Sequence, residues 1–456
     1  MDKSSIHIIS ELGKNIAVIG SSGSWFELDE MGMDILATPA NPSSSENDAR
    51  LSNKYSTTEI NYFINTIEGA LKKANTLAKY STDRQEVINK MYLQVTTRCN
   101  LRCRYCYAEE TAGTSTCEMM TSEIARKAID LLLEENRDQE TCVLDFDGGE
   151  PMLNRPLIED VVDYIKLRTK NNGPRVRMTI ASNGTTMTPE NVDFLNNNKI
   201  AFGISFDGPP DIQNNIRPSV AGRQSYDFVM DNIGPLLAKR RIIAQATITP
   251  LLLDVDEIVF HLADLGFNPV QAEPAYACAD KKCQIKPNDI PALTNGFTRM
   301  AEMMLTGFKQ GRLLPFYNFT EILTRLHKRR KRQYGCSVGA KMCAVAPDGN
   351  IYPCYRFWGN ENYKMGTVAK GFNRSVQRLF SEAYVDNREG CKDCWARYFC
   401  GGKCLYLALY FNKDVNKPYD LNCQIFKCLL SLSIGLYQHI HGSPGLTEQL
   451  ELSRNK

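Results

Sequence analysis

The chain of 456 residues is long for one domain, and its 43% hydrophobic content suffices for more than one core. With 54 Lys and Arg against 52 Asp and Glu, a net charge of +2 gives no global field for nucleic acid or an anionic membrane. Sixteen Cys would suit a small secreted scaffold, but this chain is large, polar residues follow Met1, and no apolar run reaches the ~18 residues of a membrane span. A reducing cytoplasm, with thiols used for metal, is the expectation.

Residues 6–10, 17–20 and 25–28 read as three short strands, with a turn at Ser21-Ser22-Gly23-Ser24. Residues 30–37 read as a helix, 38–48 as a Pro-, Ser- and Asn-rich loop, and 57–78 as one or two helices from the spacing of Ile60, Phe63, Ile64, Ile67 and Leu71. Three strands followed by helices resembles the recognition element of enzymes that process RiPPs, the ribosomally made and post-translationally modified peptides. That resemblance implies a winged-helix-like domain binding a leader peptide as an added strand. The alternative is an accessory domain that only packs on its neighbour. A DNA-reading winged helix would need a basic recognition helix, which is absent here.

From Met91, strands and helices alternate. Strands are expected at 91–97, 142–147, 177–182, 201–206, 242–248 and 270–273. Helices are expected at 122–135, 156–170, from Pro189, 226–238, 254–265 and 291–310. Such alternation implies a parallel sheet with crossover helices, which builds its sites at the C-terminal strand ends.

The first strand runs into Cys99-Asn100-Leu101-Arg102-Cys103-Arg104-Tyr105-Cys106. Three thiolates at this spacing can hold three irons of a cubane cluster, leaving the fourth open for catalysis. Zinc or unrelated thiols are the alternatives. The stretch resembles the signature of radical S-adenosylmethionine (SAM) enzymes. The resemblance implies a partial (β/α)6 barrel, SAM on the open iron, Tyr105 beside the adenine, and reductive cleavage of SAM to a 5′-deoxyadenosyl radical. Gly148-Gly149-Glu150-Pro151 follows the second strand and matches the family's motif for the SAM amine, with Glu150 as its counter-charge and glycines that admit a close ligand. Ser182-Asn183-Gly184 matches a motif that meets the SAM ribose or carboxylate. Ser205-Phe206-Asp207-Gly208-Pro209 with Arg217-Pro218 is similar to the pattern of the peptide-modifying subgroup. That similarity implies Ser205 against SAM and Arg217 on its carboxylate. Asp207 is either part of that site or a loop cap. Glu273 is either a substrate contact or, more in keeping with its surroundings, half of a structural ion pair.

Residues 316–326 read as a helix running into His327-Lys328-Arg329-Arg330-Lys331-Arg332. This basic run is a solvated helix end, a nucleic-acid patch or a steering surface for an acidic peptide. Beyond it, Cys336-x12-Gly349-x4-Cys354, then Cys391-x2-Cys394-x5-Cys400-x3-Cys404, then Cys423, resembles the SPASM domain over residues 336–428. Asp348-Gly349 marks a hairpin turn. The resemblance implies two auxiliary [4Fe–4S] clusters. One would use Cys336, Cys354 and Cys404, with Cys343 as a candidate fourth ligand, and is otherwise open to substrate. The other would use Cys391, Cys394, Cys400 and Cys423, with Cys428 able to replace Cys423. Zinc suits four thiolates equally well on chemistry alone. Cys117, Cys142, Cys278 and Cys283 fit no set.

The expected organisation is a leader-binding domain at 1–85, a radical SAM barrel at 86–315, a linker helix at 316–335, a SPASM domain at 336–440 and a tail. The expected activity is a Cys sulfur-to-carbon crosslink on a precursor peptide, as in sactipeptide or ranthipeptide maturation, with SAM and three [4Fe–4S] clusters. A flavodoxin or ferredoxin would supply electrons, and neither nucleic acid nor membrane takes part. Carbon–carbon crosslinking, epimerisation, anaerobic sulfatase maturation and a non-enzymatic electron-transfer scaffold are the alternatives.

Overall fold

The computed structural model describes residues 6–37, 51–77, 87–108, 119–171, 173–443 and a few positions up to 450. The loop expected at 38–48, and Cys117, lie outside them.

Strands β1 (Ile6–Glu11), β2 (Lys14–Ile19) and β3 (Ser24–Glu27) form an antiparallel meander, turning through Gly23 at φ +64°. The central strand is buried on both faces because it alternates between two cores. Ala17 packs with Leu28 and Leu36 of helix Glu30–Ala37 and with Ile67 of helix Thr57–Leu77. Ile16 and Val18 join the main core, where the C-terminal helix Asp420–Ile440 lies. The sheet is therefore clamped between its own helices and the far end of the chain. His7 stacks on Trp395 with ring centroids 4.3 Å apart, and a Cβ on Gly435 would meet the Glu11 Cβ at 3.0 Å.

The second sheet has ten strands. Its centre is six parallel strands in sequence order: β4 (Lys90–Thr96), β5 (Thr141–Gly148), β6 (Arg175–Ser182), β7 (Ala201–Ser205), β8 (Ile243–Ile248) and β9 (Val270–Pro274). This is the expected open (β/α)6 barrel, each strand within two residues of its predicted bounds at either end. The period-two alternation of a strand explains it. Leu93, Val95, Leu144, Phe146, Ile180, Ile204, Ala246 and Ala272 go to one face, where they are buried among the helices. Each large side chain so buried is worth roughly 1.5–3 kcal/mol. The other face is polar: Tyr92 and Gln94 stand in register with Asp145 and Asp147 of the next strand. Helix Ser122–Glu135 shows the complementary logic, with a Thr121 side-chain cap and Ala125, Ala128, Ile129 and Leu132 on its buried stripe.

The Cys-rich region extends the same sheet. Strand β10 (Met342–Val345) pairs parallel with β4, and β11 (Asn350–Tyr352), β12 (Gly366–Thr367) and β13 (Gly371–Phe372) continue antiparallel. The β10–β11 turn places Gly349 at φ +82°, as the sequence suggested. The parallel join to β4 was not legible, because four residues of one strand carry no partner signal. Helix Pro210–Ile216 was likewise missed, being short and opened by Pro.

Among the described residues, no helix is long and apolar enough to cross a membrane. The basic run divides: Arg329 and Arg330 are exposed just beyond the helix end, while Lys331 and Arg332 pack on the Cys-rich region. Its helix stops at His327, Lys331 lies 5.5 Å from the Tyr398 ring centroid, and the Arg332 backbone N–H reaches the Tyr398 carbonyl at 2.7 Å.

Candidate active site

The cluster loop leaves β4 and is held from both sides. Arg102 and Arg104 donate backbone hydrogen bonds to Pro218 O at 2.8 Å and Ile216 O at 2.9 Å. The Arg104 guanidinium pairs with Asp280 at 2.9 Å. Cys99 Sγ accepts from the Leu101 N–H at 3.5 Å and the Asn183 amide at 3.7 Å. Cys103 lies within electrostatic reach of Cys99, Cys106 and Arg217, and burial pushes its thiol up to about 12. Such a thiol stays protonated unless a metal takes it, since coordination strips the proton.

The Gly-Gly-Glu-Pro turn packs on this loop. Gly149 and Glu150 donate backbone bonds to Thr96 O and Arg98 O, both at 2.9 Å. A Cβ on Gly148 would sit 2.2 Å from Thr96 O, and one on Gly149 2.3 Å from Arg98 O. The glycines thus admit the neighbouring backbone, where the sequence suggested a ligand. Pro151 opens a single turn, Pro151–Asn154, capped by Glu150. Glu150 is fully buried and accepts four hydrogen bonds: from the Asn183 N–H at 2.7 Å, Ser182 Oγ and Thr186 Oγ1 at 3.0 Å, and the Met152 N–H at 3.3 Å. Burial raises its pKa and these bonds oppose the rise.

Across the mouth, Tyr105 Oη donates to Asp207 at 2.7 Å and itself accepts from Arg217. Asp207 also accepts the Thr247 N–H at 2.9 Å and lies 3.8 Å from Arg217. Asp207 is therefore the hub of a buried triad rather than a loop cap. Arg217 Nε is buried without a hydrogen-bond partner among the described residues. Ser205 ends β7 in register with Gln245. Glu273 is exposed and accepts from Asn318 at 3.2 Å, so its hydrogen-bond partner is an amide and not the expected cation.

The remaining Cys separate into two groups. Cys354 lies within electrostatic reach of Cys336 and Cys404. Cys343, the candidate fourth ligand, faces the other way: strand alternation on β10 puts it in the helical core, near Glu135. Cys423 is within reach of Cys391, Cys394 and Cys400, and these four line a cavity of about 420 Å³ with Phe426 and Lys427. Cys428 points instead toward Glu11. Arg388, fully buried, anchors these loops by donating to Val415 O at 2.9 Å and to Gly402 O. Among the described residues no group of three His, Cys, Asp or Glu converges on a single-ion site.

The motifs did not single out a second wall of the mouth. Asp147, one residue before the Gly-Gly turn, lies near Tyr92, Tyr107 and Tyr355. The Tyr92 and Tyr107 rings sit 5.1 and 5.3 Å from the Tyr355 ring, and Arg356 lies 4.9 Å over Tyr107. Two charged residues, Asp145 and Asp147, alternating in an otherwise apolar strand were the signal that could have found it.

Residues 93–257, which carry the cluster loop, the Gly-Gly-Glu-Pro turn and the strands through β8, match the model of the radical SAM superfamily. A cysteine-type anaerobic sulfatase-maturating enzyme of Clostridium novyi (strain NT) is 24% identical over 75% of this chain and 94% of its own. The structure of polyhistidine-tagged anSMEcpe with bound AdoMet superposes with a TM-score of 0.67 at 20% identity, over 80% of this chain and 97% of that one. Streptococcus suis SuiB, solved bound to its precursor peptide SuiA, matches 92% of this chain and 99% of its own with a TM-score of 0.53 at 14% identity.

Proposed function

We propose that the chain is a radical SAM enzyme that modifies a ribosomally made peptide, forming a thioether between a Cys sulfur and an unactivated carbon. Cys99, Cys103 and Cys106 would hold one [4Fe–4S] cluster and leave an iron for SAM. When bound, that cluster supplies the electron that cleaves SAM to a 5′-deoxyadenosyl radical. The chain's own residues do the rest. Glu150 keeps Ser182, Asn183 and Thr186 fixed around the SAM amine, Tyr105 lies toward the adenine, and Arg217, with its free Nε, is suited to a carboxylate. Ser205 lies at the same mouth.

The observation that carries the thioether reading is the trio Cys336, Cys354 and Cys404 with Cys343 turned away. An auxiliary cluster on three thiolates would leave one iron without a protein ligand, which a substrate thiolate could fill. The other set, Cys391, Cys394, Cys400 and Cys423, is complete and suits a cluster that only carries electrons from a flavodoxin- or ferredoxin-type donor. Cytoplasmic reducing conditions fit both.

The N-terminal unit, residues 1–85, is read as the leader-binding domain and 336–440 as a SPASM domain on the barrel. The SuiB match supports this: residues 87–456 are 370 of 456, so a 92% match extends into the N-terminal unit. A leader strand added at β3 would raise the local concentration of the core peptide at the barrel. Sulfatase maturation is the second reading, favoured by the Clostridium novyi relative.

Mass spectrometry of a Cys-containing precursor peptide, incubated anaerobically with reconstituted enzyme, SAM and reductant, tests the proposal. Loss of two hydrogens with one Cys resistant to alkylation supports it. Replacement of sulfur by oxygen favours the second reading. Loss of two hydrogens with all Cys alkylatable sinks the thioether.

A further inference from the structure

We infer that Asp147 is the proton acceptor of the reaction, taking the proton from the substrate's Cys thiol as its sulfur becomes nucleophilic. This rests on the reading that the substrate brings a thiol to the barrel mouth.

Among the described residues, the only carboxylate oxygen buried without a hydrogen-bond partner is Asp147 Oδ2. Every other acid at the mouth is engaged. Glu150 holds four donors, Asp207 holds Tyr105 and the Thr247 N–H, Asp145 pairs with Lys90 at 2.5 Å, and Glu273 accepts from Asn318. The five His of the chain lie elsewhere: His7 and His439 bind at the N-terminal sheet, His261 meets Tyr226, and His327 and His441 meet Tyr437. An orphaned buried acceptor costs free energy unless a ligand supplies the donor.

Position favours a substrate donor. Asp147 is the penultimate residue of β5, on the polar face and opposite Gln94, whose Oε1 is also buried and unpartnered. Tyr107, next to Cys106, and Tyr355, next to Cys354, both face it. Asp147 therefore lies near both the loop that carries Cys106 and the loop that carries Cys354. The groups around it leave it the base. Lys90 is committed to Asp145, and burial holds the Tyr92, Tyr107 and Tyr355 phenols above their usual range, so they stay neutral. Burial, with Asp145 nearby, lifts Asp147 to about 6, while Lys90 and a backbone bond oppose the rise.

The step balances simply. The thiol S–H bond breaks, an O–H bond forms on Asp147, and the electron pair stays on sulfur. The hydrogen atom from carbon leaves in 5′-deoxyadenosine, and an auxiliary [4Fe–4S] cluster held by Cys336, Cys354 and Cys404 would be the one-electron acceptor that balances S–C bond formation. Ionised Asp147 is required, so product formation should hold at neutral pH and fall as pH drops through about 6.

The test uses reconstituted full-length enzyme and a Cys-containing precursor peptide, reading crosslinked product per 5′-deoxyadenosine from pH 5 to 8. Asp147→Asn should lower that ratio about 10²-fold, and its residual product should lose the acidic limb. Asp147→Glu should recover part of the ratio with a shifted limb, which a purely structural role would not give. Product at the wild-type ratio in Asp147→Asn, or an unchanged limb, overturns the proposal. If wild-type enzyme modifies no Cys peptide, the functional reading fails and the proposal falls with it. Product at the wild-type ratio in both proteins breaks the proposal alone.

Discussion

Two carboxylates three residues apart face the same barrel mouth in opposite conditions. Glu150 sits on the wall toward Ser182–Thr186 and is fully buried with four donors pointing at it. Asp147 sits on the wall toward Tyr355 with one oxygen unpartnered, and Nη1 of Arg356, over the Tyr107 ring, is unpartnered too. The first wall is complete without a ligand, as suits a cofactor bound in every turnover. The second is unfinished, as suits a substrate that comes and goes. A single turn thus separates a preorganised site from one that awaits its partner.

That contrast can be broken by stability alone. Glu150→Ala should cost about 3–5 kcal/mol, because it strands buried donors. Asp147→Ala should cost only about 1 kcal/mol, because Oδ2 makes no bond to lose and a single backbone bond from Gly148 goes. Urea unfolding of the two variants checks this, and equal losses would erase the distinction. Gly149→Ala should come next, at about 1–3 kcal/mol, since its Cβ would have to displace Arg98 O. The effect should appear as lost SAM affinity as well as a lower unfolding midpoint.

Iron content sharpens the reading of the auxiliary sets. Cys423→Ala should lose about four irons per chain, whereas Cys428→Ala should lose none, because Cys428 faces Glu11. Cys343→Ala should have the smallest effect, leaving iron content unchanged at a packing cost of about 1 kcal/mol. Iron loss there would restore the fourth-ligand expectation.

The parts legible in the sequence were those with a period or a fixed spacing. Six strands and their helices were readable because Leu93, Val95, Leu144 and Phe146 alternate with polar residues. The Cys sets were readable because thiolate spacing is rigid. Cys343 misled because spacing carries no strand face: it joins the main core, whereas its neighbour Met342 packs in a separate one. Asp207 stayed ambiguous because its partners, Tyr105, Thr247 and Arg217, come from three different segments. Asp147 was overlooked because an unpartnered atom is a property of the packed chain, which no local pattern records.

The most direct measurement of the central claim is 5′-deoxyadenosine release by reconstituted wild-type enzyme and by the Cys99/Cys103/Cys106→Ala triple variant, with SAM, reductant and peptide, alongside iron content. The expected result is release by wild type carrying about twelve irons, and no release by a folded variant carrying about eight. Release by the variant, or none from fully loaded wild type, would contradict the account.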